Sequence, residues 1–266
     1  MSRMTPWMRT RLFTRSLFLQ ATWSFERMQG LGFAFAIEPW IDGLYPSHEE
    51  RNAALKRHSE YFNTQPYAAP LILGVVCALE ESAAAAAPEQ RAAIYERIGT
   101  VKKALAASLA GLGDALFWSA LRPACVAAAL ACWSWMTWRG MDPRNAGLIM
   151  AGVYAAGYNL PVIWLRWRGI DLGYAWGEAI PARLQALGVR DWVWRVRIVG
   201  TILTLVLLAA AFVSVSSAAD RLAAALCLCA AWACYVLAPA RTTALRLYAA
   251  ACAFGFLALT TGRLGG

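Results

Sequence analysis

Long apolar blocks separated by short charged segments fill the second half of the chain. The blocks 198–216 and 222–240 each hold nineteen residues without a charge, enough for a helix to cross the hydrocarbon layer of a bilayer. Further candidate spans are 115–138, 145–165 and 245–262. Tryptophans cluster at the span ends, where an amphipathic ring prefers the headgroup level. The pattern predicts an all-α integral membrane protein with about five C-terminal transmembrane helices.

The N-terminal quarter has a shorter, mixed pattern. Apolar and basic positions recur at helical spacing in residues 10–45, which predicts amphipathic helices lying on or dipping into the membrane surface. Ser47 and Glu50 have the spacing of a capping box, so we expect a charged, water-exposed helix to begin there and to run to about Tyr61. Residues 1–65 are therefore predicted to form a cytoplasmic or interfacial helical region.

Two interrupted apolar segments follow. Ala68 to Leu79 is too short to cross a bilayer and ends at Glu80-Glu81, which predicts a re-entrant hairpin over 66–81. A second segment is interrupted by Gly111, Gly113 and Asp114. Non-helical backbone at membrane depth survives only where protein or a water-filled cavity satisfies its polar groups. We therefore predict a re-entrant core with a substrate site over 66–125, followed by a transmembrane region over 126–266.

Composition and charge agree with the membrane class. The chain is 59% hydrophobic and only 15% charged, which a soluble enzyme of this length would not be. Its net charge of +9 favours contact with anionic headgroups, and no nucleic-acid motif accompanies it. Eight arginines in 166–197 and 241–246, against three in 139–144 and 217–221, predict that the first two loops are cytoplasmic. The N-terminus is then expected inside and the C-terminus outside.

The seven cysteines all lie in apolar stretches, and none has metal-ligand spacing to a histidine or to another cysteine. They are interpreted as small core residues. We expect no metal and no cofactor.

Several blocks in the first half of the chain resemble the IID component of mannose/fructose/sorbose-type sugar phosphotransferase systems, in order and spacing, over roughly residues 15–125. The blocks are FLQATWSFERMQGLGF at 18–33, RHSEYFNTQP at 57–66, the short stretches 73–74 and 78–81, and LAGLGD at 109–114, followed by Phe117-Trp118 and Arg122-Pro123. Several separate matches are more specific than a lone glycine motif. One departure is Ser24, where the resemblance leads us to expect asparagine.

The resemblance implies a multi-pass protein of the bacterial inner membrane. It implies pairing with a IIC membrane subunit and assembly of such pairs into a higher-order oligomer. Together the subunits would move hexoses or amino-hexoses inward. Soluble IIA and IIB domains would carry the phosphoryl group, so this chain is not expected to be an enzyme by itself.

Neutral amides are the first candidates for sugar contact. Asn63 and Gln65 offer both donors and acceptors, as a ring of hydroxyl groups requires, although they could instead cap the hairpin backbone before Pro66. Asp114 is an ionisable group in an apolar stretch, and it either accepts sugar hydroxyls or pairs with Arg122.

Four further residues complete the candidate site. Gly111 and Gly113 would let the backbone approach a ligand, and Trp118 could stack on a pyranose face or simply pack. Glu26, beside Arg27, ranks second as a sugar contact, with a structural salt bridge as its alternative.

No catalytic residue is predicted. His58 is interpreted as a surface or interface residue, and Glu80 as part of a cytoplasm-facing hairpin end. Two other functions stay open: an intramembrane hydrolase using Asp114 with His58 or Glu26, which no hydrolase motif supports, and a non-transporting regulatory or scaffold subunit.

Overall fold

A computed structural model describes residues 4–214 of the chain, with side chains through residue 210. The contacts divide the chain into two compact units, Met1–Thr204 and Leu205–Gly266. Within the described residues the regular structure is helical, with two isolated β-bridges and no strand. The predicted spans 222–240 and 245–262 lie outside the described residues.

Most helices follow one another closely, while longer connections over 17–29 and 59–68 separate α1 from α2 and α3 from α4. In chain order they are α1 Pro6–Ser16, α2 Gly30–Leu44, α3 His48–His58, α4 Ala69–Ala85, α5 Pro88–Gly113, a π-helical segment Asp114–Leu121, α6 Arg122–Trp138, α7 Pro143–Trp176, α8 Ile180–Ala186 and α9 Val189–Ser214.

Local sequence signals explain where the first helices begin. Thr5 caps α1 by accepting a hydrogen bond from the Met8 backbone N–H at 3.1 Å, and Pro6 occupies the first turn, where its missing N–H costs nothing. The Ser47 hydroxyl accepts from the backbone N–H groups of Glu49 and Glu50 at the start of α3. Acidic residues in the first turn of α3 and basic residues in its last turn complement the helix dipole.

The prediction of a hairpin over 66–81 is wrong. Residues Ala69–Ala85 form one uninterrupted helix, because the alanines that follow Glu81 continue the helix of the apolar run. The chain reverses at Ala86 and Ala87, and Pro88 opens α5, so the hairpin consists of α4 and α5 together. Most of α4 from Ala69 to Cys77 is buried, which makes it the centre of the core.

Helix α4 crosses α7 at a point where two glycines meet. A Cβ atom on Gly74 would clash with the Ile170 carbonyl of α7, and one on Gly173 would clash with the Leu71 carbonyl of α4. Only residues without a side chain permit backbones to approach this closely. Gly74 and Gly173 therefore set the position of α4 against α7.

The predicted interruption of the helix at Gly111, Gly113 and Asp114 is also wrong. Helix α5 continues through Gly111 and Gly113 without interruption, and at Asp114 the helix widens into a π-helical segment that runs into α6. Pro123 lacks an N–H and its ring would crowd the carbonyl of Ser119, which fits the position of the widened turns. Residues Pro88–Trp138 thus form one continuous helix.

Three helices are long and apolar enough to cross a membrane within the described residues. They are Pro88–Trp138, Pro143–Ala186 and Val189–Ala210. They cover the predicted spans 115–138 and 145–165 and the first part of 198–216, whereas the total of about five and the membrane orientation stay predictions.

Candidate functional site

The segment between α3 and α4 is held in an extended form by a short β-like pairing with residues 27–29. The Gln29 backbone N–H donates to the Phe62 carbonyl at 2.8 Å. The buried side-chain amide of Gln29 also donates to the Thr64 carbonyl at 2.8 Å and accepts from the Thr64 N–H at 3.1 Å. Gln29 therefore satisfies backbone that no helix covers. Sequence reasoning missed this positioning role, although Gln29 lies in the first block of the family resemblance.

The same segment contacts α5. The Thr64 hydroxyl donates to the Ala106 carbonyl at 3.0 Å. Gln65 is only 2% exposed. A Cβ atom added to Gly113 would lie only 2.6 Å from the Gln65 Cβ, so the two residues are packed directly against each other. Two predicted site residues, Gln65 and Gly113, are thus in direct contact.

Only one of the two polar atoms of the Gln65 side-chain amide has a hydrogen-bond partner among the described residues. Its Oε1 accepts from the Tyr67 backbone N–H at 2.5 Å, while its Nε2 is buried without a hydrogen-bond partner among the described residues. A buried amide donor without a partner is costly, so such groups call for a ligand, a water or a special role. Gln65 is the predicted site residue with the strongest physical demand for a partner.

Aromatic side chains extend this contact towards the membrane-capable helices. The Tyr67 ring packs edge-on against Phe117 at 5.2 Å and against Tyr158 at 6.3 Å between centroids. Arg166 of α7 lies 5.9 Å from the centre of the Tyr67 ring and donates to the Ser16 carbonyl at 2.6 Å. The segment 63–67 is therefore fixed between α5, the π-helical segment and α7.

The other predicted residues lie on the surface. Asn63 is exposed. Glu26 and Arg27 line a cavity of about 260 Å³ together with Lys56, Ser59, Glu60 and Tyr61. Met28, directly after them, has a φ of 51°, a strained conformation for a residue with a side chain. That conformation presents Glu26 and Arg27 at the tip of a tight turn.

Gly111, Asp114 and Trp118 face away from Gln65. All three are exposed, nothing lies within 4 Å of a Cβ position on Gly111, and Trp118 is 55% exposed. Of the two alternatives for Asp114, the ion pair with Arg122 is not seen, since neither charge is in an ion pair among the described residues and both are exposed.

A buried charge network lies at the ends of α2, α3 and α4. The Glu80 carboxylate is fully enclosed and accepts from the Tyr45 hydroxyl at 2.7 Å, from Arg57 at 2.8 Å and from His58 Nε2 at 2.9 Å. Lys102 of α5 donates to the His58 carbonyl at 3.0 Å and lies 4.2 Å from the centre of the Phe33 ring. The network joins four helices.

Burial lowers the pKa of His58 to about 4, against the opposing effect of its hydrogen bond to Glu80, so this imidazole is neutral at pH 7. Burial alone would raise the pKa of Glu80, but the hydrogen bond from His58 and the charge of Arg57 outweigh it and hold the pKa at about 2. Glu80 is therefore an ionised, fully hydrogen-bonded carboxylate.

Two expectations fail at this network. His58 is completely buried inside the chain, although its place between Arg57 and Glu60 indicated a surface or interface residue, and Glu80 is a core residue although it ends an apolar run. Periodicity did not reveal that these two residues are buried. For His58 the reason is that helix α3 buries only Ala54 and His58, too few positions to form a pattern. The exposed Asp114 and the enclosed His58 do not bond to each other, which removes that pair of the hydrolase alternative. Within residues 4–214 no cluster of three metal-ligating side chains exists.

The fold and this site define an α-helical membrane protein with a compact helical module packed on membrane-capable helices. A family model for the mannose/fructose/sorbose family IID component of phosphotransferase systems matches residues 3–227. The chain belongs to this family, as the resemblance implied.

Individual relatives agree with the family. The mannose-specific EIID component of Escherichia coli strain K12 is 40% identical over 173 residues, which cover 62% of this chain and 54% of that protein. The sorbose-specific EIID component of Klebsiella pneumoniae is 36% identical over 169 residues, covering 64% and 57%. The chain thus spans about half the length of the curated relatives it matches.

A solved structure is also similar. A chain in the cryo-EM structure of the mannose transporter ManYZ in complex with microcin E492 has a TM-score of 0.57 at 33% identity. The similarity covers 78% of this chain and 71% of that one.

Proposed function

We propose that this chain is the IID membrane subunit of a phosphoenolpyruvate-dependent sugar transporter, and that it binds and moves a mannose-type hexose or amino-hexose together with a IIC subunit. Family membership and the names of the mannose- and sorbose-specific relatives support a sugar as the cargo. Soluble IIA and IIB domains supply the phosphoryl group, so the subunit itself performs no covalent chemistry.

The observation that carries the sugar site is the free donor of Gln65. Its Nε2 is buried at the contact with Gly113 and has no partner among the described residues, while Oε1 is already used by Tyr67. A hydroxyl oxygen of a sugar ring would satisfy this donor without bringing a charge into the core. Gly113 permits this arrangement, because any larger residue would displace the Gln65 side chain.

The remaining candidates contribute from exposed positions. Asn63 adds a second neutral amide on the same segment as Gln65, while Gly111, Asp114 and Trp118 line an open face of the continuous helix. Asp114 can accept two hydroxyl hydrogen bonds, and Trp118 offers a flat apolar surface to a pyranose ring. Because the described residues leave this face open, sugar contacts there need a second subunit to exclude water or lipid.

Glu26 and Arg27 form a second group of contacts. They line the polar cavity of about 260 Å³ with Lys56, Glu60 and Tyr61, which combines acceptors, donors and an aromatic ring. The volume is near the lower end for small-molecule sites and suits a single sugar ring. We place this cavity after Gln65, because its charged groups are largely exposed and interact with water.

Uptake of labelled hexoses tests the proposal. Cells would express a mannose-type IIC subunit and the soluble IIA and IIB domains, with or without this chain, and uptake would be measured with and without phosphoenolpyruvate. Uptake that depends on both the chain and phosphoenolpyruvate supports transport and names the sugar. A stable complex without uptake of any hexose favours the regulatory or scaffold subunit instead.

A further inference from the structure

Arg166 is a buried cation in α7, on a helix that is apolar enough to cross a membrane. It is 9% exposed, and no carboxylate pairs with it among the described residues. Its Nε also has no hydrogen-bond partner among them. Removing an arginine side chain from water is costly, so a cation at such a position indicates a role beyond packing.

One contact of Arg166 is with the end of α1. A terminal guanidinium nitrogen donates to the Ser16 carbonyl at 2.6 Å. Ser16 is the last residue of α1, and the carbonyl groups at a helix C-terminus carry partial negative charge and lack partners within the helix. The Phe13 ring packs edge-on against Trp167 at 5.1 Å between centroids, which keeps α1 against α7. The charge of Arg166 is therefore compensated by backbone and not by an acid.

The other contact is with the segment 63–67. The guanidinium carbon of Arg166 lies 5.9 Å from the centre of the Tyr67 ring, within the range of a cation–π interaction. The backbone N–H of the same Tyr67 donates to Gln65 Oε1 at 2.5 Å. Because that bond orients the side-chain amide, it also sets the direction of the Gln65 Nε2. Only Tyr67 separates Arg166 from the proposed sugar donor.

The two contacts also join the connections that carry the candidate site. The connection 17–29 begins directly after Ser16 and ends at Gln29, whose side-chain amide holds Thr64 in the connection 59–68. Arg166 thus contacts the start of the first connection and a residue near the end of the second, while Gln29 links the two. Both connections are attached to α7 by the same side chain.

We propose that Arg166 is a positioning residue for the sugar site: it holds the end of α1 and the Tyr67 ring against α7, and so keeps the Gln65 amide in its binding orientation. The inference rests on the proposed function, because it takes the Gln65 Nε2 to contact sugar. A planar guanidinium suits this task, since it donates to a carbonyl and interacts with an aromatic ring at the same time.

Hexose binding to the purified complex with the IIC subunit tests this role. Arg166→Met should fold, because an apolar residue is tolerated in place of a buried charge and the Ser16 carbonyl still accepts from the Leu19 N–H at 3.2 Å. It should weaken binding about tenfold alone but less than about twofold in a Gln65→Met background, since both changes disable the same donor.

Arg168→Met is the matched control for the binding experiment. Arg168 lies on the same helix with its side chain half exposed, and its replacement should leave hexose binding unchanged. If Arg166→Met weakens binding by the same factor with and without Gln65, Arg166 does not act through the Gln65 amide and the proposal is refuted.

Hydrogen exchange of the complex without sugar gives a readout that is independent of the ligand. In Arg166→Met the backbone N–H groups of 63–68 should exchange about tenfold faster, while those of 72–77 in the core of α4 stay protected and show that the chain is folded. Arg168→Met should leave both regions unchanged. Should Arg166→Met lower the recovery of the complex, Arg166→Lys, which keeps the buried charge but not the planar fork, should show the same directions of change.

The two measurements keep this inference apart from the proposed function. Unchanged exchange over 63–68 in a folded complex would overturn the positioning role. Faster exchange in a complex that binds no hexose would support the attachment of the segment by Arg166 and refute only the proposed function.

Discussion

Helix α4 and the membrane-capable helices are similarly apolar in sequence but lie in opposite environments. Residues of α4 such as Ile72 and Val75 are fully enclosed by the chain itself, whereas Leu148 and Leu160 of α7 are 70% and 65% exposed. Helix α4 also carries the fully enclosed carboxylate of Glu80, which has three hydrogen-bond donors. The difference teaches that an apolar run reports a need for burial, and that its length and its neighbours decide whether protein or bilayer meets that need.

Removing Glu80 should have the largest effect on stability. Glu80→Ala leaves the partly buried Arg57 beside the enclosed His58 without its carboxylate, and loss of one partner of a buried pair costs about 3–5 kcal/mol. Denaturation in mild detergent would measure the free energy of unfolding. Glu50→Ala, which breaks the half-exposed pair with Arg91, is the matched control and should cost about 0–1 kcal/mol. Equal losses would show that the network does not hold the helices together.

Truncation of apolar side chains compares the two regions directly. Ile72→Ala should destabilise the chain by about 2–5 kcal/mol, since it opens a cavity in a packed core. Leu160→Ala should change the free energy of unfolding in detergent by no more than about 0.5 kcal/mol, because that side chain has few protein contacts to lose. A similar cost for both would mean that α7 is enclosed by the chain after all.

A substitution at the close crossing of α4 and α7 should have the next largest effect on stability. Gly74→Ala should cost about 1–3 kcal/mol, because the added methyl group forces α4 away from the Ile170 carbonyl. Gly152→Ala on α7 is the control, since nothing lies within 4 Å of its Cβ position, and alanine there should be neutral or slightly stabilising. Thermal unfolding of both variants in detergent measures the contrast. An unchanged midpoint for Gly74→Ala would contradict the close crossing.

Acid should weaken the first region selectively. The pKa of His58 is lowered on folding to about 4, so as the pH falls below about 6.5 the unfolded chain binds the proton first and stability is lost down to about pH 4. Between pH 7 and 5 we expect a loss of about 1–2 kcal/mol, measured by unfolding at each pH. Glu80, with its pKa held at about 2, adds its loss only below about pH 4.5.

His58→Gln should flatten the pH dependence between pH 7 and 5 even if it lowers the overall stability. Replacement of the exposed His48 by glutamine is the control and should leave the dependence unchanged. A pH dependence that survives His58→Gln would assign it to another group.

Much of the helical architecture could be predicted from the sequence, because its signals are local. Ser47 marks the start of α3, and apolar length marks the candidate spans that the structure describes. The breaks were predicted wrongly for an equally physical reason. Glycine lowers helix propensity, and a short apolar run is not long enough to cross a membrane. Packing of α4 against α7 nevertheless keeps the first helix continuous, and the widened turns before Pro123 keep the second one continuous.

The site was only partly accessible to sequence reasoning. Residue type indicated Gln65 and Gly113 as site residues, but no sequence pattern shows that they are in contact or that Gln65 is buried with its Nε2 unpartnered among the described residues. The enclosure of His58 and Glu80 depends on contacts between residues far apart in the chain, which periodicity within one helix does not reveal.

Direct binding of the transported hexose to the purified complex of this chain with its IIC subunit tests the central claim, that the free donor of Gln65 contacts sugar. Gln65→Met keeps the side-chain size and removes the amide, and the exposed Gln90→Met is the matched control. Loss of one hydrogen bond should weaken binding about tenfold in the first variant and not in the second, with the complex recovered equally in both. Wild-type affinity in an intact Gln65→Met complex would contradict the account.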